Sequence, residues 1–231
     1  NGVMTDSTTW NRKSAWQLGI AWLYPVFLIF WATGDTLAQE GDWKKVKEKD
    51  GIEIFNRKND NSEFKEFTSR AVIEGTVNEF LAVLYDVEAL PAWGYKVKEA
   101  ELIRRDSESL QVYYAVAKAP FPYKNRDGVY LNRFRWDPLE KTLVVDIELL
   151  EDELAEKEDL VRMKGYGFWR VKELSADRIE VEFQMQMDPG GNIPAWLSNM
   201  FSGDTPYFTM QGLKKVMKEN RYKGKEYSLT K

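Results

Sequence analysis

Hydrophobic and polar residues alternate along much of the chain after Trp43, which is the pattern of a β-strand with one buried face. In residues 179–187 every odd position is apolar and every even position is polar. Residues 143–149 also have apolar odd positions. Strands of the same kind are predicted at six further segments: 51–58, 64–74, 97–105, 110–118, 128–136 and 161–174.

The connections between these segments are short and rich in turn-forming residues, as at 58–61, 105–108 and 175–177. Parallel neighbours would need crossover connections of about a dozen residues or more. We therefore expect successive strands to pair antiparallel.

Two segments follow a helical period instead. Thr76 can cap a helix over 77–85. Residues 193–222 form the second helical region, in which Thr205-Pro206 predicts a break near residues 202–206. The most economical packing is a curved antiparallel sheet wrapped around a long C-terminal helix, an α+β fold.

An apolar segment, residues 15–33, follows two basic residues near the beginning of the chain. Small residues after this segment, at Thr36 and Ala38, fit a secretory signal cleaved after Ala38. A run of about 19 residues, however, approaches the ~20 that span a bilayer. Both interpretations place the remainder outside the cytoplasm. We expect 1–38 to be a signal peptide or membrane anchor, 39–231 to be the folded domain, and the protein to be secreted or periplasmic.

The chain contains neither His nor Cys. This composition excludes disulfides, zinc sites of the His/Cys type and catalysis by Ser-His-Asp or Cys-His groups. The net charge of -4 gives no electrostatic reason to expect a nucleic-acid partner. Catalysis by carboxylate, Lys, Tyr or Arg side chains stays open on composition alone. Nothing in the composition calls for a metal or a cofactor, and we expect no metal, no cofactor and no catalytic residue.

Residues 188–196 read Asp-Pro-Gly-Gly-Asn-Ile-Pro-Ala-Trp, in which two glycines permit a sharp turn and Pro194 can begin a helix. Further short motifs occur at Trp43, 51–55, 84–86, Trp93, 120–122 and Arg126-Asp127. In this order and spacing, across most of residues 43–222, they resemble the START (steroidogenic acute regulatory protein-related lipid transfer) domain family of the helix-grip superfamily, in a bacterial-type exported member.

The resemblance implies a monomeric carrier that holds one lipid in an internal apolar cavity and presents it at a membrane surface. It aligns Tyr113 and Asn132 with a buried acid–Arg pair of some sterol-handling members, which argues against a charged sterol anchor here. A shift of one residue would restore a charge through Arg133. The candidate residues of the cavity and its lid are Tyr113, Asn132, Met185, Met187, Trp196, Met200, Phe201, Met210 and Leu213.

Several of these interpretations have a plain alternative. The methionines suit an adaptable lipid pocket, but a core has the same sequence pattern. The neighbouring pair Arg126 and Asp127 can hold a lipid head group or form an internal salt bridge. The basic residues of 212–231 can dock on anionic lipids or form a solvated helix face.

Two other functions stay open at this stage. An aromatase/cyclase-like enzyme of the same superfamily would act on a polyketide-like substrate, although the export signal argues against it. A membrane-tethered sensor, read by a protein partner, is the third possibility.

Overall fold

The described part of the chain is residues 43–59, 62–194, 197 and 200–231 of a computed structural model. All of these residues belong to one structural unit. The segment 1–38 lies outside the described residues, so its role as a signal peptide or anchor stays a prediction. No helix within the described ranges is long and apolar enough to span a membrane.

Ten β-strands form most of this unit. The strand predicted over 179–187 is confirmed, with Ile179 and Val181 fully buried and Glu180 between them exposed. The alternation of burial is incomplete, because Glu182 and Gln186 on the polar face are also buried. The strands are β1 (Lys44–Lys49), β2 (Ile52–Asn59), β3 (Ser62–Glu74), β4 (Val97–Ser107), β5 (Leu110–Ala117), β6 (Asn125–Asp137), β7 (Thr142–Leu150), β8 (Leu160–Arg162), β9 (Lys164–Ser175) and β10 (Arg178–Asp188).

Nine of the strands follow one path through the sheet, in the order β1-β2-β3-β10-β9-β7-β6-β5-β4, and each pairs antiparallel with its neighbours. The prediction of one strand over 161–174 is wrong at its start. Met163 separates β8 from β9, and its backbone N–H donates to the carbonyl of Asp127 on β6 at 2.8 Å. The preceding strand β8 pairs with β6 in parallel, after the long connection that follows β7.

Among the elements that lie wholly within the described residues, three α-helices pack on this sheet: α1 (Val77–Tyr85), α2 (Leu90–Trp93) and α3 (Thr205–Val216). Thr76 caps α1 as predicted, and the Glu79 side chain completes a capping box. The predicted break is confirmed as a π-helical turn at Met200–Asp204. The prediction of a helix as far as residue 222 is wrong.

The α-helix ends after Val216, although the next side chain, Met217, is still fully buried in the core. The backbone becomes extended at Glu219 (φ -72°, ψ 134°) and cannot continue the helix there. Residues Asn220–Tyr222 form a 3₁₀ turn. From there the hydroxyl of Tyr222 donates to Asp86 at 2.7 Å, beyond the end of α1.

The main core lies between the concave face of the sheet and the helices. The C-terminal helix α3 contacts β2, β3 and α2, and its buried side chains join those of α1 and the central strands. The expected architecture, a curved antiparallel sheet with a C-terminal helix, is confirmed. A smaller cluster occupies the other face of β5 and β6: Val112, Tyr114, Val116, Val129 and Leu131.

Candidate functional site: an apolar cavity between sheet and helices

A partly enclosed cavity with a volume of ≈ 130 Å³ lies between the sheet and the three helices. Strands β5, β6, β7, β9 and β10 form one wall, and α1, α2 and the beginning of α3 form the other. Alternate strand residues face the same side of a sheet, so each strand contributes every second side chain to the wall.

Two stacked tyrosines form the wall on β5 and β6. Tyr113 and Tyr130 are directly opposite in the register, and their ring centroids lie 4.9 Å apart with an angle of 7° between the ring planes. A Cβ atom at Gly128, two residues before Tyr130, would lie 2.9 Å from the Tyr130 ring, so glycine there leaves room for it. Burial raises the pKa of both phenols, which keeps them neutral hydrogen-bond donors.

Methionine and aromatic side chains form the wall on β9 and β10. Met185 and Met187, two of the candidate residues, line the cavity. Met185 lies opposite Gly167, where an added Cβ would come within 2.4 Å of the Met185 sulfur. Trp169 and Phe183 stack at 3.9 Å between centroids and also line the cavity.

The helical wall depends on α2 and α3. Trp93 of α2 lines the cavity and packs edge-on against Trp169, with 6.4 Å between ring centroids. Thr205 and Thr209 of α3 line it beside α2. The hydroxyl of Thr209 accepts a hydrogen bond from the backbone N–H of Tyr95 at 3.2 Å, which ties α3 to the segment after α2.

Two buried polar groups in the wall have no hydrogen-bond partner among the described residues: the indole Nε1 of Trp93 and the amide oxygen of Asn132. Both side chains line the cavity. Buried polar atoms are nearly always paired in native proteins, so groups of this kind usually mark a binding position for water or a ligand.

The rim of the cavity, which we define as Tyr95, Lys96 and Lys118, carries the two basic side chains that line it. Both lysines are exposed to solvent. Asp86 also lines the cavity, but its carboxylate accepts a hydrogen bond from Tyr222 and lies 3.3 Å from Arg221. Apart from this paired carboxylate, the inner walls formed by the described residues are apolar or neutral.

Arg126 and Asp127 do not pair with each other, because consecutive strand residues face opposite sides of a sheet. Asp127 instead binds Arg162 through two hydrogen bonds of 3.1 and 3.0 Å, and both side chains are almost fully buried. The guanidinium of Arg126 donates to the carbonyls of Lys124 and Pro189. Asp127 thus forms an internal salt bridge, which was one of the two interpretations, although with a different arginine.

The remaining predicted site residues fall into two groups. Met210 and Leu213 are fully buried in the main core and do not line the cavity, so their contact with a ligand stays a prediction. Trp196 and the side chains of Met200 and Phe201 lie outside the described residues. Within the described ranges, no cluster of three or more His, Cys, Asp or Glu side chains could hold a metal ion.

Residues 34–223 match the family model described as the START domain. The chain is 30% identical to the phosphatidylcholine transfer protein of Mus musculus, over 68% of this chain and 75% of that protein. It is 26% identical to an uncharacterized protein of Pseudomonas aeruginosa, over 80% of this chain and 91% of that protein. The chain is 29% identical to the solved STAR-related lipid transfer protein fragment of Xanthomonas axonopodis. The two structures compare with a TM-score of 0.71, over 77% of this chain and 99% of that chain.

Proposed function

Because the chain belongs to the START domain family, we propose that it binds a single lipid in the cavity and carries or presents that lipid at a membrane. The observation that carries this proposal is the cavity itself. It lies inside a domain whose sheet and helices otherwise pack closely, and its inner walls are aromatic, aliphatic and methionine side chains. Ligand sites for apolar molecules have this composition, with few polar groups.

The size of the cavity implies that its walls move when a lipid enters. Cavities of about 150 Å³ take up molecules of the size of benzene, and the space here is ≈ 130 Å³. A lipid with long acyl chains therefore requires the two walls to separate. The sheet is joined by continuous ladders, whereas α3 follows a π-helical turn at Met200–Asp204. We assign the opening movement to α3.

The surface beside the rim supports a membrane as the partner. Phe121 is 96% exposed at the tip of the loop between β5 and β6, three residues after Lys118 of the rim. Phe208 of α3 is partly exposed and stacks on Tyr95, with 4.8 Å between centroids. Exposed aromatic residues next to lysines suit the interface of an anionic membrane, where each basic residue contributes about 1 kcal/mol.

A carrier is favoured over an aromatase/cyclase-like enzyme by the mouse relative and the Xanthomonas axonopodis structure, because both are named for lipid transfer. We also propose that residues 1–38 direct the chain out of the cytoplasm, as a cleaved signal or as an anchor. Mass spectrometry of the N-terminus of the protein made in a bacterial host tests this: a chain that begins at Gln39 supports cleavage.

The proposal is tested by extracting the purified full chain with organic solvent and identifying the lipids by mass spectrometry. We expect one lipid class in a ratio near one molecule per chain. Delipidated protein incubated with vesicles should recover the same ratio. Lipids present only in trace amounts, in the proportions of the host membrane, would contradict the proposal.

A further inference from the structure

Asn132 is the most unusual polar side chain of the cavity. It is 3% exposed, yet its amide oxygen Oδ1 has no hydrogen-bond partner among the described residues. Gln111, directly opposite in the register on β5, is buried but satisfied: its Nε2 donates to the carbonyl of Leu84 at 3.1 Å, and its Oε1 accepts from Arg105 at 2.7 Å. The side-chain amide of Gln111 is thus fully hydrogen-bonded, whereas the amide oxygen of Asn132 has no partner in the cavity wall.

Trp93 supplies the complementary group on the opposite wall. It is 6% exposed, and its indole Nε1–H lacks an acceptor within the described part of the chain. A tryptophan in this position can only donate. The carbonyl oxygen of Asn132 can only accept, whichever way the amide is turned.

Charged groups that would hold an ionic head are missing from the described inner walls. Lys96 and Lys118 are at the solvent-exposed rim. Asp86 is engaged by Tyr222 and Arg221. Arg126 is buried, but its guanidinium is bound to backbone carbonyls and does not line the cavity.

Resting on the proposed function, we infer that the lipid carried by this chain has an uncharged polar group with a free hydroxyl. A hydroxyl donates to Asn132 Oδ1, and its oxygen remains free to accept a hydrogen bond, for which Trp93 Nε1 is the unpaired donor of the described walls. Phosphocholine has oxygen acceptors and a quaternary ammonium without N–H, so it has no donor for Asn132. The ligand class therefore differs from the one in the name of the mouse relative, the phosphatidylcholine transfer protein.

The test compares two lipids that differ by one hydrogen-bond donor. The probes are 1,2-dioleoylglycerol and its 3-O-methyl ether, with dioleoylphosphatidylcholine as a third competitor. Each displaces a fluorescent acyl lipid from the delipidated full chain. Asn132→Leu removes the acceptor, and Ile147→Leu, at the lining position opposite Asn132 on β7, is the matched control.

We expect wild type to prefer the diacylglycerol over its ether by about tenfold, since an unmade hydrogen bond to a buried group costs affinity of this order. The preference should vanish in Asn132→Leu, with binding of the ether retained, and persist in Ile147→Leu. Equal affinities in wild type, a preference that survives in Asn132→Leu, or tighter binding of phosphatidylcholine would overturn the inference and leave a lipid carrier in place. Failure of the fluorescent lipid and all three competitors to bind would overturn the proposed function as well.

Discussion

Gly212 of α3 lies directly against the backbone of Trp93 in α2, so close that an added Cβ would come within 2.0 Å of the Trp93 carbonyl oxygen. Helices α3 and α2 therefore meet at a point where no side chain fits between their backbones. This contact holds α3 over the cavity and places Thr209 on the wall.

Substituting Gly212→Ala should push α3 away from α2. We expect a loss of about 1–3 kcal/mol in the free energy of unfolding, as for overpacking in a core, and faster lipid exchange between vesicles. Gly203→Ala is the matched control for stability, because a Cβ at Gly203 meets no atom within 4 Å. Its place in the π-helical turn before α3 excludes it as a control for transfer. Denaturant unfolding compares the two variants, and a vesicle transfer assay compares Gly212→Ala with wild type. Equal stability of the two variants, or an unchanged transfer rate in Gly212→Ala, would show that the close contact does not hold the helix.

The other side of α3 is fastened by Tyr207, whose hydroxyl donates to Asp50 at 2.5 Å. This hydrogen bond lowers the pKa of Asp50. The stabilisation is therefore complete above the pKa of an unfolded aspartate, about 3.9, and is lost as the pH falls through the lower folded value.

We expect Tyr207→Phe to raise the pKa of Asp50 towards its ordinary value, as followed by NMR titration of the carboxyl carbon. The stability difference between wild type and Tyr207→Phe should shrink as the pH falls below about 4. The same titration midpoint in both proteins would contradict this assignment.

The buried pair Asp127 and Arg162 fixes the loop between β7 and β8, because the guanidinium also donates to the carbonyls of Glu151 and Leu154, each at 3.1 Å. Arg162→Met leaves a buried carboxylate without its partner, and we expect it to cost about 3–5 kcal/mol of stability. Arg133→Met, which removes an exposed pair with Glu148, should cost less than about 1 kcal/mol. Similar losses in chemical denaturation would contradict the structural role of the buried pair.

Membrane docking is tested at Phe121. Phe121→Ser should weaken binding to anionic vesicles and slow lipid transfer, with little change in melting temperature, because the side chain contributes apolar surface only when the loop reaches a membrane. Leu139→Ser is the control, since Leu139 is 93% exposed in the turn between β6 and β7. Equal effects of both variants on vesicle sedimentation would argue against docking through the rim.

The sequence predicts best those elements whose side chains alternate between core and solvent. Strand β10 forms where the period-two pattern predicts it, and α1 begins at the predicted cap. Strand β1 has only one apolar residue, Val46, which is 52% exposed, so its pairing with β2 rests on backbone hydrogen bonds that leave no sequence pattern. The parallel pairing of β8 with β6 leaves no sequence pattern either, since it depends on the path of the long loop that connects β7 to β8.

The cavity is harder to predict than the fold, because lining and core residues are both apolar. Met187 and Met210 look alike in sequence, yet Met187 lines the cavity and Met210 is fully buried in the core. Arg162 lies 35 positions from Asp127, so no local sequence motif predicts this salt bridge. The sequence marks Trp93 as a motif residue, but only the structure shows that its indole N–H has no acceptor among the described residues.

These two methionines provide the most direct test of the cavity. The measurement is lipid transfer between vesicles by Met187→Trp and Met210→Trp, with the melting temperature of each variant. We predict that Met187→Trp fills the cavity and abolishes most of the transfer with nearly unchanged stability. Met210→Trp should overpack the core, lose about 1–3 kcal/mol of stability, and still transfer lipid below its melting temperature. Normal transfer by a folded Met187→Trp variant would contradict a lipid-binding cavity between the sheet and α3.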